Sequence, residues 1–149
     1  QSLESYVERW FMPLAYGLIL LRADGFPCVF YGDYYGLTRE NSMPAVRNEI
    51  DRLLNIRQYH AYGDQTDYFD HNNVIGWVRL GNEEHPLGCA VIMSSGNSGF
   101  KKMNVGQMHQ GEIWIDKMGN MKDQVVIDEL GNGLFKVNGG SISVYVSQS

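Results

Sequence analysis

Basic residues nowhere gather into a stripe: 12 Lys and Arg stand against 17 Asp and Glu, and only Lys101 and Lys102 are adjacent. With a net charge of -5, that pattern excludes nucleic acid as the main partner. Cysteine is scarce too. Cys28 and Cys89 each sit in an apolar β run, with no CxxC spacing and no Cys/His cluster to hold zinc. Buried free thiols are the default for such positions, and nothing supports a disulfide between them. The longest apolar segment, residues 10–21, is broken by Pro13 and closed by Arg22, too short for a membrane span. A secretory leader pattern is missing, and the first residue is Gln1. The chain therefore reads as starting inside a longer protein, and the missing leader says little about the compartment. What is present suits a globular core: 44% hydrophobic and 19% charged residues in 149, enough for one domain or parts of two. The 9 Tyr and 3 Trp suit carbohydrate contact, although core packing is the ordinary role of an aromatic ring.

The most telling stretch is Pro27-Cys28-Val29-Phe30-Tyr31-Gly32-Asp33-Tyr34-Tyr35-Gly36. It is a short apolar strand, Cys28 to Tyr31, ending abruptly in a polar, tyrosine-rich turn. Before it, Leu3, Val7, Trp10, Phe11, Leu14, Ala15, Leu18 and Ile19 recur at helical spacing. Ser5 and Glu8 fit a capping box, so this helix starts near Tyr6 with a kink at Pro13, or regular helix begins closer to Pro13. Asp24-Gly25 ends it. After the loop, Ser42 and Pro44 signal a second helix over about residues 45–59, with Val46, Ile50, Leu53, Leu54 and Arg57 on one face. Helix, strand, loop, helix is one turn of a parallel α/β protein, in which chemistry collects past the C-terminal ends of strands. The strand has no partner in this sequence to satisfy its backbone. The first part is therefore expected to be a piece of a larger α/β unit.

From about residue 65 the texture changes to short strands, expected at 66–69, 74–80, 89–93, 101–105, 112–115, 125–127, 134–137 and 142–146. Turns rich in Gly, Asn, Asp and Ser separate them, which indicates an antiparallel sandwich or barrel. Asn138-Gly139-Gly140 reads as a tight hairpin between the last two strands. The boundary between the two textures falls near residues 60–64.

Several separated blocks closely resemble the liquefying-type α-amylases: Pro13-Leu14-Ala15-Tyr16, Ile19-Leu20-Leu21-Arg22, Asp24 to Gly36, Asp67-Tyr68-Phe69-Asp70-His71, Gly76-Trp77 and Val137 to Val146. Pro86-Leu87-Gly88-Cys89 followed by Val91-Ile92-Met93-Ser94 is more similar to the cytoplasmic branch, so a cytoplasmic location is expected, with secretion as the alternative. The resemblance implies an α/β plus all-β fold. Residues 1–62 would be the last helix–strand–helix of a catalytic (β/α)8 barrel, and residues 63–149 a C-terminal antiparallel Greek-key β-sandwich. It implies a retaining, endo-acting hydrolase of α-1,4-glucosidic bonds in starch, glycogen or maltodextrins, working through a nucleophile, a general acid/base and a third stabilising carboxylate. All three belong to earlier barrel strands, the third to a Phe-Val-Asp-Asn-His-Asp type motif just before Gln1. No catalytic residue is then expected in this chain, and the segment alone is expected to be inactive. Its partners would be the glucan, through the parent, and the upstream barrel residues. Calcium would belong to the parent through upstream residues, with no metal held here. The rival readings are a non-catalytic carbohydrate-binding β-sandwich module and an inactive homologue.

Individual candidates follow. Gln1, next to the missing motif, is the one candidate substrate-binding residue. Asp33 and Glu40 share the loop after the strand and imitate an acid/base pair, but loop anchoring is their expected role. Tyr31, Tyr34 and Tyr35 either line the outer cleft or pack at the barrel mouth. Asp64, Asp67, Asp70, His71, Asn72 and Asn73 are rich in oxygen ligands, but their spacing is not that of an EF-hand. By resemblance, Asn72, Asn73 and Ser94 stand where some relatives carry His, Asp and Asp around a bridging metal. Neutral oxygens compensate poorly for dehydrating a dication, so a hydrogen-bonded turn is expected instead. His60, His85 and His109 lack ligand spacing and are expected at the surface or an interface. Trp77 and Trp114 either stack on glucose rings or fill the core.

Overall fold

The computed structural model describes residues 9–23 and 47–148. The strand at 28–31, the loop after it with Asp33 and Glu40, and Gln1 lie outside the described residues.

A short 3-10 turn, Arg9–Phe11, leads into helix α1, Met12–Leu21. Pro13 lies in the first turn, where a missing N–H costs nothing and the fixed φ suits the helix. Of the two starts compatible with the sequence, the structure takes the one at Pro13. The helix also stops earlier than Asp24-Gly25, at Leu21, with Arg22 extended (φ -83°, ψ 160°). Its last carbonyls are claimed by side chains of other elements, described below. Nearly every residue of α1 is apolar; Leu14, Tyr16, Gly17, Leu20 and Leu21 are buried.

Helix α2, Arg47–Tyr59, buries Ile50, Leu53 and Ile56. That stripe corrects the expected face. Leu54 is 37% exposed and Ile56 takes its place, because i, i+3, i+6 is the row that meets α1 and the sheet.

The strands are β1 (Gln65–Tyr68), β2 (Val74–Arg79), β3 (Cys89–Ser94), β4 (Gly99–Asn104), β5 (Ile113–Asp116), β6 (Val125–Val126), β7 (Asn132–Val137) and β8 (Ser141–Ser147). They form a six-stranded sheet in the order β1-β2-β3-β8-β5-β6 and a two-stranded sheet β4-β7, all pairs antiparallel. The six-stranded sheet is the middle layer. On one face Trp77, Cys89, Val91, Met93, Ile142, Val144 and Val146 meet the helices. On the other, Val78, Ala90, Ile92, Trp114 and Tyr145 meet Met103, Phe135 and Val137 of the small sheet. Period-two alternation thus serves two cores at once, and every residue of β3 is buried.

The hairpin expected at Asn138-Gly139-Gly140 is not one. β7 pairs with β4, whereas β8 pairs with β3 and β5, so this turn carries the chain from one sheet to the other. The glycines are explained differently. A Cβ on Gly139 would come within 2.6 Å of the Gly96 carbonyl oxygen, and Gly140 has φ +60°.

Candidate functional site

The most elaborated polar structure is the seam between helix α1 and the sheet. A helix leaves its last carbonyls without internal partners. Here Arg57 Nη1 donates to Leu20 O (2.6 Å), while Trp77 Nε1 (3.3 Å) and Arg79 Nη1 (3.2 Å) donate to Leu21 O. Arg79 Nε also donates to Gly63 O at 3.1 Å, tying the chain's entry into the sheet to the same cation. Two positive charges at this C-terminus complement the helix dipole. Arg22, one residue on, lies over the rings of Phe69 (5.1 Å) and Trp77 (5.3 Å) and forks onto Asp67 at 3.1 and 3.3 Å. Below the seam α1 approaches β8 closely: a Cβ on Gly17 would fall 2.4 Å from Ile142 Cδ1. Gly63 (φ +83°) bridges Gly81, and a Cβ there would fall 1.8 Å from the Gly81 carbonyl oxygen.

The acidic run at 64–73 is divided between cations rather than gathered around one centre. Asp67 serves Arg22, and Asp70 serves Lys101, whose hydrogen bond holds the Asp70 carboxyl below its ordinary range. His71 Nδ1 accepts from the Asn73 N–H at 3.3 Å. Ser94 is buried; its hydroxyl donates to Asn97 O (2.6 Å) and accepts from Gly96 N (3.1 Å). That hydroxyl is committed to its own turn, so Asn72, Asn73 and Ser94 do not fit a dication. Among the described residues no group of three His, Cys, Asp or Glu is placed to hold a metal.

The remaining candidates sort by burial. Trp77 and Trp114 are both fully buried, one under the helices and one between the sheets, so neither reaches a sugar. His109 is not at the surface: it is 3% exposed, its Nδ1 lies 2.8 Å from Glu112 Oε1, and its ring meets Trp114 edge-on at 5.3 Å. Trp114 Nε1 shares that Glu112 oxygen at 3.1 Å. His85 stacks on Tyr62, centroids 3.8 Å apart. His60 is half-buried behind α2; burial, then the charge of Lys117, lowers its pKa. Burial pushes the Cys89 thiol up to about 12, so it remains a protonated, unreactive core residue.

Two features escape a reading of the sequence. Asp116 accepts four backbone N–H groups: Met118 and Val144 on one oxygen, both at 2.9 Å, Asn120 (3.0 Å) and Met121 (2.9 Å) on the other. The signal available was an Asp ahead of Gly119-Asn120, an Asx-turn pattern. The second is an open groove of about 640 Å3 between the β1–β2 turn and β4, with Tyr68, Asn73, Val74, Asn97, Phe100 and Lys102 among its walls. Phe100 is 66% exposed there. Gly99 lets β4 lie flush on Val74, since a Cβ would come within 2.7 Å of Cγ2. No helix among the described residues is long and apolar enough to cross a membrane.

No protein-family model matches the chain. It is 52% identical over 149 residues to a glucan 1,4-alpha-maltohexaosidase of Bacillus sp. (strain 707), covering 99% of this chain and 29% of that protein. It is 50% identical over 147 residues to an alpha-amylase of Geobacillus stearothermophilus, covering 98% and 27%. A cytoplasmic alpha-amylase of Escherichia coli (strain K12) is 45% identical over 156 residues, covering 98% and 31%. The chain thus spans about 30% of the length of these relatives and matches the C-terminal part of bacterial alpha-amylases. In fold it is similar to an alpha-amylase of Geobacillus thermoleovorans solved with acarbose, with a TM-score of 0.69 at 15% identity over 94% of this chain and 33% of that one.

Proposed function

We propose that this chain, homologous along its length to the C-terminal segment of bacterial alpha-amylases, belongs to a retaining endo-acting enzyme that hydrolyses α-1,4-glucosidic bonds in starch, glycogen or maltodextrins. The observation that carries this reading is identity of 45 to 52% sustained over 98 to 99% of the chain. The three carboxylates of the reaction lie in the parent outside these residues. In a retaining enzyme the nucleophile and acid/base stand ~5 Å apart, so that a covalent glycosyl intermediate forms.

In this reading residues 1–62 complete the catalytic barrel and residues 63–149 form a Greek-key sandwich docked against it. Helix α1, apolar nearly all round, supports that placement, because such a helix belongs in the interior of a larger protein. The arginines that close α1 then act as couplers between barrel and sandwich. Gln1 keeps its role as a candidate contact to a sugar hydroxyl. Calcium, where the parent uses it, is held by other residues. The rival reading as a carbohydrate-binding module loses its tryptophans, both of which are core residues. A cytoplasmic location rests on residues 86–94 and is tested by fractionating cells that carry the full reading frame.

The test is the anomeric form of newly released ends when the full-length protein digests soluble starch, followed by proton NMR. The α-anomer is expected at first. Initial β-anomer would refute retention, and the absence of hydrolysis would refute the enzyme reading.

A further inference from the structure

We propose that Gln65 and Asp67 of β1, with Trp77 and Arg79 of β2, are positioning residues for the reaction, because together they set the direction in which the chain leaves α1 toward residues 28–31. The effect on turnover rests on the alpha-amylase reading; the clamp itself rests on distances. Strand register places Gln65 opposite Arg79 and Asp67 opposite Trp77, so the four side chains form one patch. Each takes hold of the end of α1. Arg79 and Trp77 donate to Leu21 O, Asp67 receives the Arg22 fork at 3.1 and 3.3 Å, and Gln65 Oε1 accepts from the Ala23 N–H at 2.7 Å. Gln65 Nε2 also donates to Asp67 Oδ1 at 3.0 Å, which braces the carboxylate.

A helix end requires donors for its last carbonyls, and Arg57, Trp77 and Arg79 supply them. The bonds to Arg22 and Ala23 do something else. Both residues lie beyond α1, so holding them fixes where the chain goes next. Arg22 is held on three sides, by the Asp67 fork and by the rings of Phe69 and Trp77. Asp67 is 42% exposed at its side chain, and such an ion pair adds little to stability. Its consequence is geometric. Residues 24–27 alone separate Ala23 from the apolar run at 28–31. Cys28 therefore lies at most about 18 Å from Ala23. Pro27 fixes its own φ and restricts Phe26, which stiffens that tether. In the alpha-amylase reading the run is the last barrel strand, and chemistry collects past the ends of such strands. A shift at Ala23 then becomes a shift in the wall of the cleft, where a misplacement of about 1 Å can cost up to about a hundredfold in rate.

The test is kcat and KM of the full-length protein on a short chromogenic maltooligosaccharide, well below the Tm of every variant. Hydrogen exchange at residues 24–31 is measured alongside. Asp67→Asn keeps the shape and removes the charge and one acceptor. It is expected to lower kcat about tenfold, to leave KM nearly unchanged and to speed exchange at 24–31. Arg22→Lys loses the fork and the flat stacking plane and is expected to match it, with the double variant losing no more than either. Asp123→Asn breaks a comparable pair with Lys136 on β7 and is expected to behave as wild type. An unchanged kcat with only a lower Tm makes the patch a stabilising contact and overturns the proposal. A raised KM at unchanged kcat overturns it too, as do losses that multiply in the double variant or an equal fall with Asp123→Asn. A wild type without turnover defeats the enzyme reading alone. Faster exchange at 24–31 in Asp67→Asn then upholds the clamp, and unchanged exchange overturns it.

Discussion

The two faces of the six-stranded sheet are closed in different ways. Toward β4 and β7 the closure is apolar and aromatic. Trp114 meets Phe135 edge-on at 6.4 Å, and Phe135 meets Tyr145 at 5.1 Å. Nearly all of that core comes from residues 74–145, and the Tyr145 hydroxyl is held by Lys136 O at 2.7 Å. Toward the helices, apolar packing is overlaid by a seam of long cations reaching backbone carbonyls: Arg57 to Leu20 and Arg79 to Leu21 at the end of α1, and Arg52 of α2 to Met118 in the turn after β5. Apolar contact has no preferred direction, whereas a guanidinium aimed at one carbonyl fixes direction as well as distance. The first face is closed by packing alone, and the second by packing plus directed hydrogen bonds; under the proposed division into barrel and sandwich, the second face is the joint.

Breaking the first face should have the largest effect. Trp114→Ala removes a fully buried indole from the centre of the inter-sheet core. It should cost about 4 kcal/mol, read as a lower denaturant midpoint. Asp116→Ala leaves four backbone N–H groups without their acceptor next to the same sheet. A loss of about 3 kcal/mol is expected, with hydrogen exchange accelerated first at residues 118–121.

The second face should give way more locally. Arg79→Met keeps most of the apolar stem and removes the bonds to Leu21 O and Gly63 O. About 2 kcal/mol should be lost, with amide protection falling in α1 and α2 while β7 and β8 keep theirs. Equal loss of protection in both regions would erase the distinction between the two faces.

The smallest expected effect is a pH dependence confined to the helix side of the sheet. Burial lowers the pKa of His60 below its ordinary 6.5, and Lys117 adds to the shift. Above 6.5 the residue is neutral in both folded and unfolded chains and contributes nothing to the slope. Below 6.5 the unfolded chain takes up the proton more readily, so stability falls as pH drops toward the folded pKa. A His60→Gln variant should show a shallower decline in Tm between pH 7 and 5; an unchanged slope would remove His60 from this role.

All eight strands among the described residues were legible, because alternation and glycine-rich turns are local signals that burial on the sheet reinforces. Local signals do not say which strand a turn delivers the chain to, and the 138–140 turn was misread for that reason. Its glycines serve a crossing between sheets and a close approach to the 96–98 loop. The end of α1 was likewise set by tertiary partners: Arg57, Trp77 and Arg79 close it three residues ahead of Asp24. Trp77 and Trp114 offered two roles at sequence level, and strand register placed both indoors. The cluster of oxygen ligands at 64–73 was visible, but its division between Arg22 and Lys101 depends on residues 45 and 31 positions away.

The most direct measurement of the central claim is starch hydrolysis by two proteins side by side: the full-length parent and the chain of residues 1–149 alone. Cleavage by the parent and none by the shorter chain is the predicted result. Cleavage by residues 1–149 alone would contradict the placement of the catalytic carboxylates outside this segment.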